Sequence, residues 1–392
     1  MDEQELARLK DNLRGAIDAM RSELIDLSLT IHDNPELGHN EFQASALLQG
    51  FLKSRHFQVE SGTAGFATAF RASYGSSGPV IAFVAEYDAL PKIGHACGHN
   101  IIGVASAAAA VASRLIVDGV GGKVAVIGTP AEELIGGKVP MIERGAFEGV
   151  DAAMMIHPGV RDTALSTALA CVTLEVEFFG KAAHAAARPE DGINALDAMV
   201  ISYNALNALR QHIRSRARFH GIITDGGEAA NVVPAHTAGN FIVRADTMQY
   251  LEGLKERVLN CFRAGALATG ARMEHRWAEV CYEPLRSSQT LAELYTRNMD
   301  ALGRKVHAPN PERGLGSTDM GNVSQVMPAI HPSVAIAPTN VLAHSPEFAE
   351  AAASEPAHQG LLDGAKALAM TAADLLCVPE NLARAKEEFA RG

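Results

Sequence analysis

The chain has 392 residues, of which 47% are hydrophobic and 20% charged, and its formal net charge is −11. That length exceeds what one hydrophobic core usually serves, so two domains are expected, and the acidic balance excludes a sequence-wide basic field for holding nucleic acid. No window is expected to reach the uninterrupted apolar length of a membrane span, so no membrane partner is expected either.

The opening MDEQELARLKDNLRGAIDAM reads as a polar helix. It lacks the basic start, apolar middle and small-residue cleavage site of a secretory signal, which makes the cytoplasm the expected compartment. Five widely scattered cysteines, an odd number, point to reduced thiols rather than a disulfide framework. Next in chain order, PVIAFVAEYDALP reads as a buried strand ending in acidic residues and proline. GHACGHN follows, then an alanine-rich helix, IIGVASAAAAVASRLIV. A second buried strand, KVAVIGTP, runs into AEEL, and a third, VDAAMMIHP, ends in His157 and Pro158. Short apolar strands alternating with helices imply an α/β, mainly parallel sheet covered on both faces, with its site along the strands' carboxyl ends.

From about residue 170 the pattern becomes strand, helix, strand, strand, helix, strand. VTLEVEF alternates, with Val172, Leu174, Val176 and Phe178 on one face. The helical stretch INALDAMVISYNALNALRQHI follows, then the strand-like RFHGIIT and TAGNFIVRA. The basic run RQHIRSRARFH within this part has no aromatic interleaving and reads as a solvated helix end followed by a strand. A helix with an apolar stripe of Leu251, Leu254, Val258 and Phe262 comes next, and ARMEHRWAEVCYEP closes the unit. This is the ferredoxin-like βαββαβ order. The expected organisation is a first domain over 1–169, an inserted α+β domain over 170–285, and a return to the first domain over 286–392.

The ligand-type residues gather at the expected sheet edge. Cys97 and His99 sit two apart in a glycine-flanked turn, and sulfur with imidazole suits a borderline-soft divalent metal such as zinc. Glu132 and Glu133 are adjacent at a strand-to-helix junction, where one can bind metal while the other moves a proton. His157 ends a strand and His344 stands in the late loop APTNVLAHSPEF. Five ligands, Cys97, His99, Glu133, His157 and His344, suffice for two metals if one bridges.

The stretches AEYDALPKIGHACGHN, GTPAEELIGGK, MMIHPG, GKAAHAAARPEDGINALDA, NVVP and GLGSTDMGNVS resemble the M20 family of metallopeptidases and aminoacylases. They are most similar to its aminobenzoyl-glutamate hydrolase and dipeptidase-like branch, and the resemblance runs over almost the whole chain. It implies a di-metal catalytic domain with an inserted lid and dimerisation domain, and a homodimer. By the resemblance Cys97 is the bridging ligand, an aspartate in other branches, and Glu132 is the general base. Asp88 would orient a ligand, and His184 would help stabilise the developing oxyanion, often across a dimer. Asn231 and Arg244 would grip the substrate's carboxylate. Glu86 and STDM at 317–320 depart from the pattern of auxin-conjugate hydrolases and point to the aminobenzoyl-glutamate-like branch.

The function these residues imply is hydrolysis of an amide bond in an N-acyl amino acid or dipeptide-like substrate with a free carboxylate. It would use two divalent ions, zinc by affinity, with manganese or cobalt as substitutes. The rival enzyme reading is an aminohydrolase releasing ammonia from an amino-substituted aromatic acid. A metal-holding protein without catalysis would not need Glu132 beside Glu133, and a cysteine hydrolase built on Cys97 would survive chelation.

Overall fold

The computed structural model describes residues 1–309 and 316–391. Its strands, in chain order, are β1 (Gln58–Ser61), β2 (Phe70–Ser77), β3 (Val80–Ala85), β4 (Gly122–Gly128), β5 (Ala152–Met154), β6 (His157–Gly159), β7 (Ala170–Phe179), β8 (Arg218–Asp225), β9 (His236–Ala245), β10 (Arg272–Trp277), β11 (Ala329–Ile330) and β12 (Ser333–Ala335). They divide between two compact units. The first holds Met1–Thr167, the chain from Leu285 and the stretch from Thr318 on; the second is Ala168–Pro284 together with Ser317.

In the first unit six strands form one sheet in the order β1-β2-β4-β3-β5-β11. The neighbours β4, β3, β5 and β11 run parallel, while β1 and β2 add an antiparallel edge. Both faces are covered, which is why VIAFVA and KVAVIG show no polar alternation. Ile81, Phe83 and Ala85 pack into the larger core with Val124, Val126 and Met154, under the helices Glu3–Ala19, His99–Val120, Gln289–Ala301 and Glu355–Cys377. Ala82, Val84 and Ile127 point the other way, onto Met141, Met320 and Val323 from the helices Lys138–Glu143 and Met320–Val326. Because β3, β4 and β5 are parallel, the segments that leave their carboxyl ends emerge at one edge, carrying Glu86 and Asp88, Glu132 and Glu133, and His157.

Two expectations are corrected. The helix His99–Val120 is long and apolar enough to cross a membrane by length and composition, contrary to the reading of the sequence. In the fold 89% of its apolar window is buried, so its composition serves the core. Its alanines carry no bulk, which lets the sheet and the Glu355–Cys377 helix pack closely on it. The second correction concerns VDAAMMIHP, which is not one strand. β5 ends at Met154, and β6 begins at His157 in a separate two-stranded sheet with β12. The break frees His157 from the main sheet's register.

The second unit is an antiparallel sheet in the order β10-β7-β9-β8. With the helices Ala195–Leu209 and Met248–Thr269 it has the ferredoxin-like arrangement that the element order predicts. Val172, Leu174, Val176 and Phe178 are buried against Leu251, Leu254, Val258 and Phe262, the two apolar faces read from the sequence. Phe262 meets both Phe178 and Phe241 ring to ring.

Candidate metal centre

Three local devices build the centre. Gly98 adopts φ 78° ahead of His99, and a Cβ there would fall 2.8 Å from Pro158 Cγ, so the turn that brings Cys97 and His99 beside the His157 strand requires glycine. Ala131 takes a left-handed φ of 60°, which non-glycine residues rarely adopt, and its N–H donates to the buried Glu41 at 2.8 Å. That sharp turn starts the short helix Glu132–Ile135 and presents both glutamates at once. His344 is also left-handed, at φ 63°, with its N–H bonded to Ala96 O at 2.9 Å. Two of the left-handed non-glycine positions, Ala131 and His344, thus sit at or next to a predicted site residue.

The five predicted ligands come together. Cys97, His99 and His157 offer donor atoms within 4.8 Å of one another, and so do Cys97, Glu133 and His344. Cys97 belongs to both triads, the position a bridging ligand must occupy. Asp88, predicted as an orienting acid, accepts from His99 Nδ1 at 2.9 Å and from the Glu133 N–H at 3.0 Å. One carboxylate therefore fixes a member of each triad and leaves His99 Nε2 facing the cluster. His157 Nδ1 donates to Pro158 O at 2.7 Å, so its Nε2 carries the lone pair, 3.4 Å from Cys97 Sγ.

These residues fit divalent metal on their own geometry. His99 Nε2 and Glu133 Oε1 are buried without a hydrogen-bond partner, a costly state for polar atoms unless a cation takes up their lone pairs. His344 Nε2 approaches Glu133 Oε1 to 3.2 Å, close enough for an ion pair but outside hydrogen-bond angles. Thiolate, imidazole and carboxylate together suit zinc and its neighbours.

Electrostatics in the metal-free chain mark the same groups. Burial pushes the Cys97 thiol well up despite the opposing effect of His99. Burial opposes a charged His99, but Asp88 and Cys97 outweigh it and hold its pKa well above the usual range. His157 is pushed down by burial and then by His99. Burial would raise Glu133, yet its contact with His344 and the charge of His99 bring it below the ordinary range. Glu132 is driven far upward, first by burial, then by the charges of Glu86, Asp319 and Glu133. Glu132 and Glu133, adjacent in the chain, are thus pushed in opposite directions by their surroundings.

The remaining predicted residues lie in the second unit. His184 and Asn231 are exposed neighbours on two facing loops, with the Ala185 N–H bonded to Asn231 O at 3.0 Å. Arg244 stands one residue from the far end of β9, its Nη1 donating to Ser317 Oγ at 3.2 Å and its Nε buried without a partner. Within this chain Asn231 and Arg244 are thus at opposite ends of β9 and do not converge. Of the GLGSTDMGNVS stretch, Gly314 and Leu315 lie outside the described residues.

Glu86, Lys138, Asp319 and His331 stand at the centre without a role assigned from sequence. Lys138 is fully buried and binds both Glu86 and Asp319. His331 packs its ring edge-on against His157, 5.3 Å between centroids, with Nε2 unpartnered. A signal existed for Glu86, since it lies two residues before Asp88 and so shares its face in an extended segment. His331 had none, being a single polar residue in an apolar stretch, and Lys138, though it ends the GTPAEELIGGK stretch, carried no sign of which carboxylates it would meet.

Comparison with known proteins follows the geometry. Residues 171–269 match the peptidase dimerisation domain. Mouse Xaa-Arg dipeptidase is 39% identical over 406 aligned residues, covering 98% of this chain and 93% of that protein. The chain belongs to the M20 peptidase family. One of the two p-aminobenzoyl-glutamate hydrolase polypeptides of Escherichia coli is 36% identical to this M20 peptidase over 307 residues, 72% of the chain and 63% of that polypeptide. The fold matches a Bacillus subtilis dinuclear metal-binding peptidase of the M20 family with a TM-score of 0.68 at 19% identity, covering 92% of this chain and 99% of that one. The M20 peptidase described here is a hydrolase acting on carbon–nitrogen bonds.

Proposed function

We propose that the enzyme cleaves an amide bond whose amine side is an α-amino acid with a free carboxylate, as in a dipeptide or an N-acyl amino acid. The observation that carries this is the pair of donor triads sharing Cys97, with Glu132 beside them. Cys97, His99, Glu133, His157 and His344 would hold two divalent ions, zinc by donor chemistry with manganese or cobalt as substitutes. When bound, these would supply Lewis acidity and lower the pKa of water. Glu132 takes the proton from the attacking water and returns it to the departing amine. Asp88 keeps His99 and Glu133 in register throughout.

The relatives support the substrate class through what they share. One is named for Xaa-Arg dipeptides and the other for aminobenzoyl-glutamate; arginine and glutamate carry side chains of opposite charge and share the α-amino nitrogen and the α-carboxylate beside it. Arg244, with a buried Nε lacking a partner, is a ready fork for that carboxylate. Asn231 and His184, at the other end of β9, would serve as a second carboxylate contact and an oxyanion donor, and the match to a dimerisation domain supports a homodimer in which each chain lends such groups.

The decisive experiment screens dipeptides and N-acyl amino acids against the metal-reconstituted protein, reading released amino acid and, separately, ammonia. Glu132→Gln should keep the wild-type metal content and lower kcat by about 10²- to 10⁴-fold. Chelation should abolish activity and zinc or manganese restore it. Ammonia as the sole product would replace the amidase with an aminohydrolase, and activity that survives chelation would point to Cys97 as nucleophile.

A further inference from the structure

Glu86, Glu132 and Asp319 present carboxylate oxygens within 4.8 Å of one another, next to but distinct from the two Cys97 triads. Three such oxygens form a hard donor set, the kind that binds manganese, magnesium or calcium. A cation already sits among them. Lys138, fully buried, directs Nζ to Glu86 Oε1 and, at 2.7 Å, to Asp319 Oδ1, while its own N–H donates to Asp319 Oδ2 at 3.0 Å. The other oxygen of Glu86 lies 3.5 Å from His99 Nε2, so this cluster directly adjoins the metal centre.

We propose that Lys138 is a built-in cation that occupies a third ion position bounded by Glu86, Glu132 and Asp319, and so keeps divalent metal away from the general base. The need follows from the charges. Two buried carboxylates and a half-buried third, without a cation, are strongly unfavourable, and an ion from solution would be drawn to them. Such an ion would claim Glu132 as a ligand and remove it from proton transfer. An ammonium supplies positive charge with no open coordination positions, and its backbone anchor to Asp319 holds it in place. Lys138 is therefore a positioning residue acting through Glu86 and Asp319, and its role rests on the reading of Glu132 as general base.

The test is the ion count per chain. Wild-type protein and Lys138→Met are stripped of metal, reconstituted with manganese, desalted and measured by plasma mass spectrometry. The wild-type count tests the Cys97 centre; the difference between the two proteins tests Lys138. The variant should hold one more ion per chain than wild type and lose at least about 100-fold in kcat with little change in KM. Lys138→Arg, which keeps the charge, should hold the wild-type count. An unchanged count in Lys138→Met overturns the proposal whatever the activity. Should Lys138→Met fail to fold, Lys138→Gln is measured in the same way. Failure of both to fold in manganese-supplemented medium also overturns it, since the incoming ion should replace the missing charge.

Discussion

The two units are both sheets covered by helices, yet they treat charge in opposite ways. The first buries Glu86, Asp88, His99, Lys138 and Asp319 at one sheet edge, whereas the buried polar residues described in the second are only Ser202 and Thr237. Charged groups in the second unit lie on the open face of its sheet, as Glu175 does with Arg276, on its helices, as Lys255 does with Glu252, or at its loops. Burial strengthens every electrostatic interaction and makes each unpaired group costly, so a unit that buries ionisable groups must carry a network in which partners hold one another. A unit with few buried polar groups can rely on an apolar core alone.

Substitutions can break or sharpen this contrast. Phe262 fills the centre of the second core between Phe178 and Phe241, and Phe262→Ala should cost about 3–5 kcal/mol in denaturant unfolding. Below the melting temperature its metal count should match wild type, and a reduced count would show that the second core also sustains the centre. Asp88→Asn keeps the size of the side chain but loses the charge that faces His99. It should weaken metal affinity about 10- to 100-fold in a chelator titration and also lower the melting temperature of the protein without metal, because the buried His99 loses the charge it is paired with. The smallest effect is expected at His236, partly exposed, which bonds Asp225 at 2.7 Å and Glu177 at 2.8 Å. Those two partners raise its pKa above the usual histidine value against a small opposing effect of burial. Its stabilising contribution is therefore complete below the unfolded pKa of about 6.5 and fades as pH rises through the higher folded value. His236→Gln should lower the melting temperature slightly under acidic conditions and not at alkaline pH; a gap that widened with pH would contradict the pairing.

Much of the fold was legible because local patterns and tertiary demands agree. The alternation in VTLEVEF and the apolar stripe of the 248–269 helix each have one burial solution, and the parallel order of β3, β4 and β5 follows from strands separated by helices. Legibility failed where one pattern serves two purposes. An alanine-rich helix suits a bilayer or a protein core by composition alone, and only its burial in the fold separates the two. In VDAAMMIHP nothing local announces that β5 stops at Met154 and that pairing resumes with β12 instead of β11.

The sequence by itself determined which residue types could hold metal and move protons, since thiol, imidazole and carboxylate have their chemistry wherever they stand. It also determined the turns that strand ends and glycines impose. The tertiary structure alone decided that Cys97 lies in both triads, that Asp88 serves His99 and Glu133 together, and that Lys138 lies among carboxylates contributed from 86, 132 and 319. Those are relations between distant parts of the chain, set by which strands pair and which helices pack. A linear pattern does not encode distance across a sheet edge.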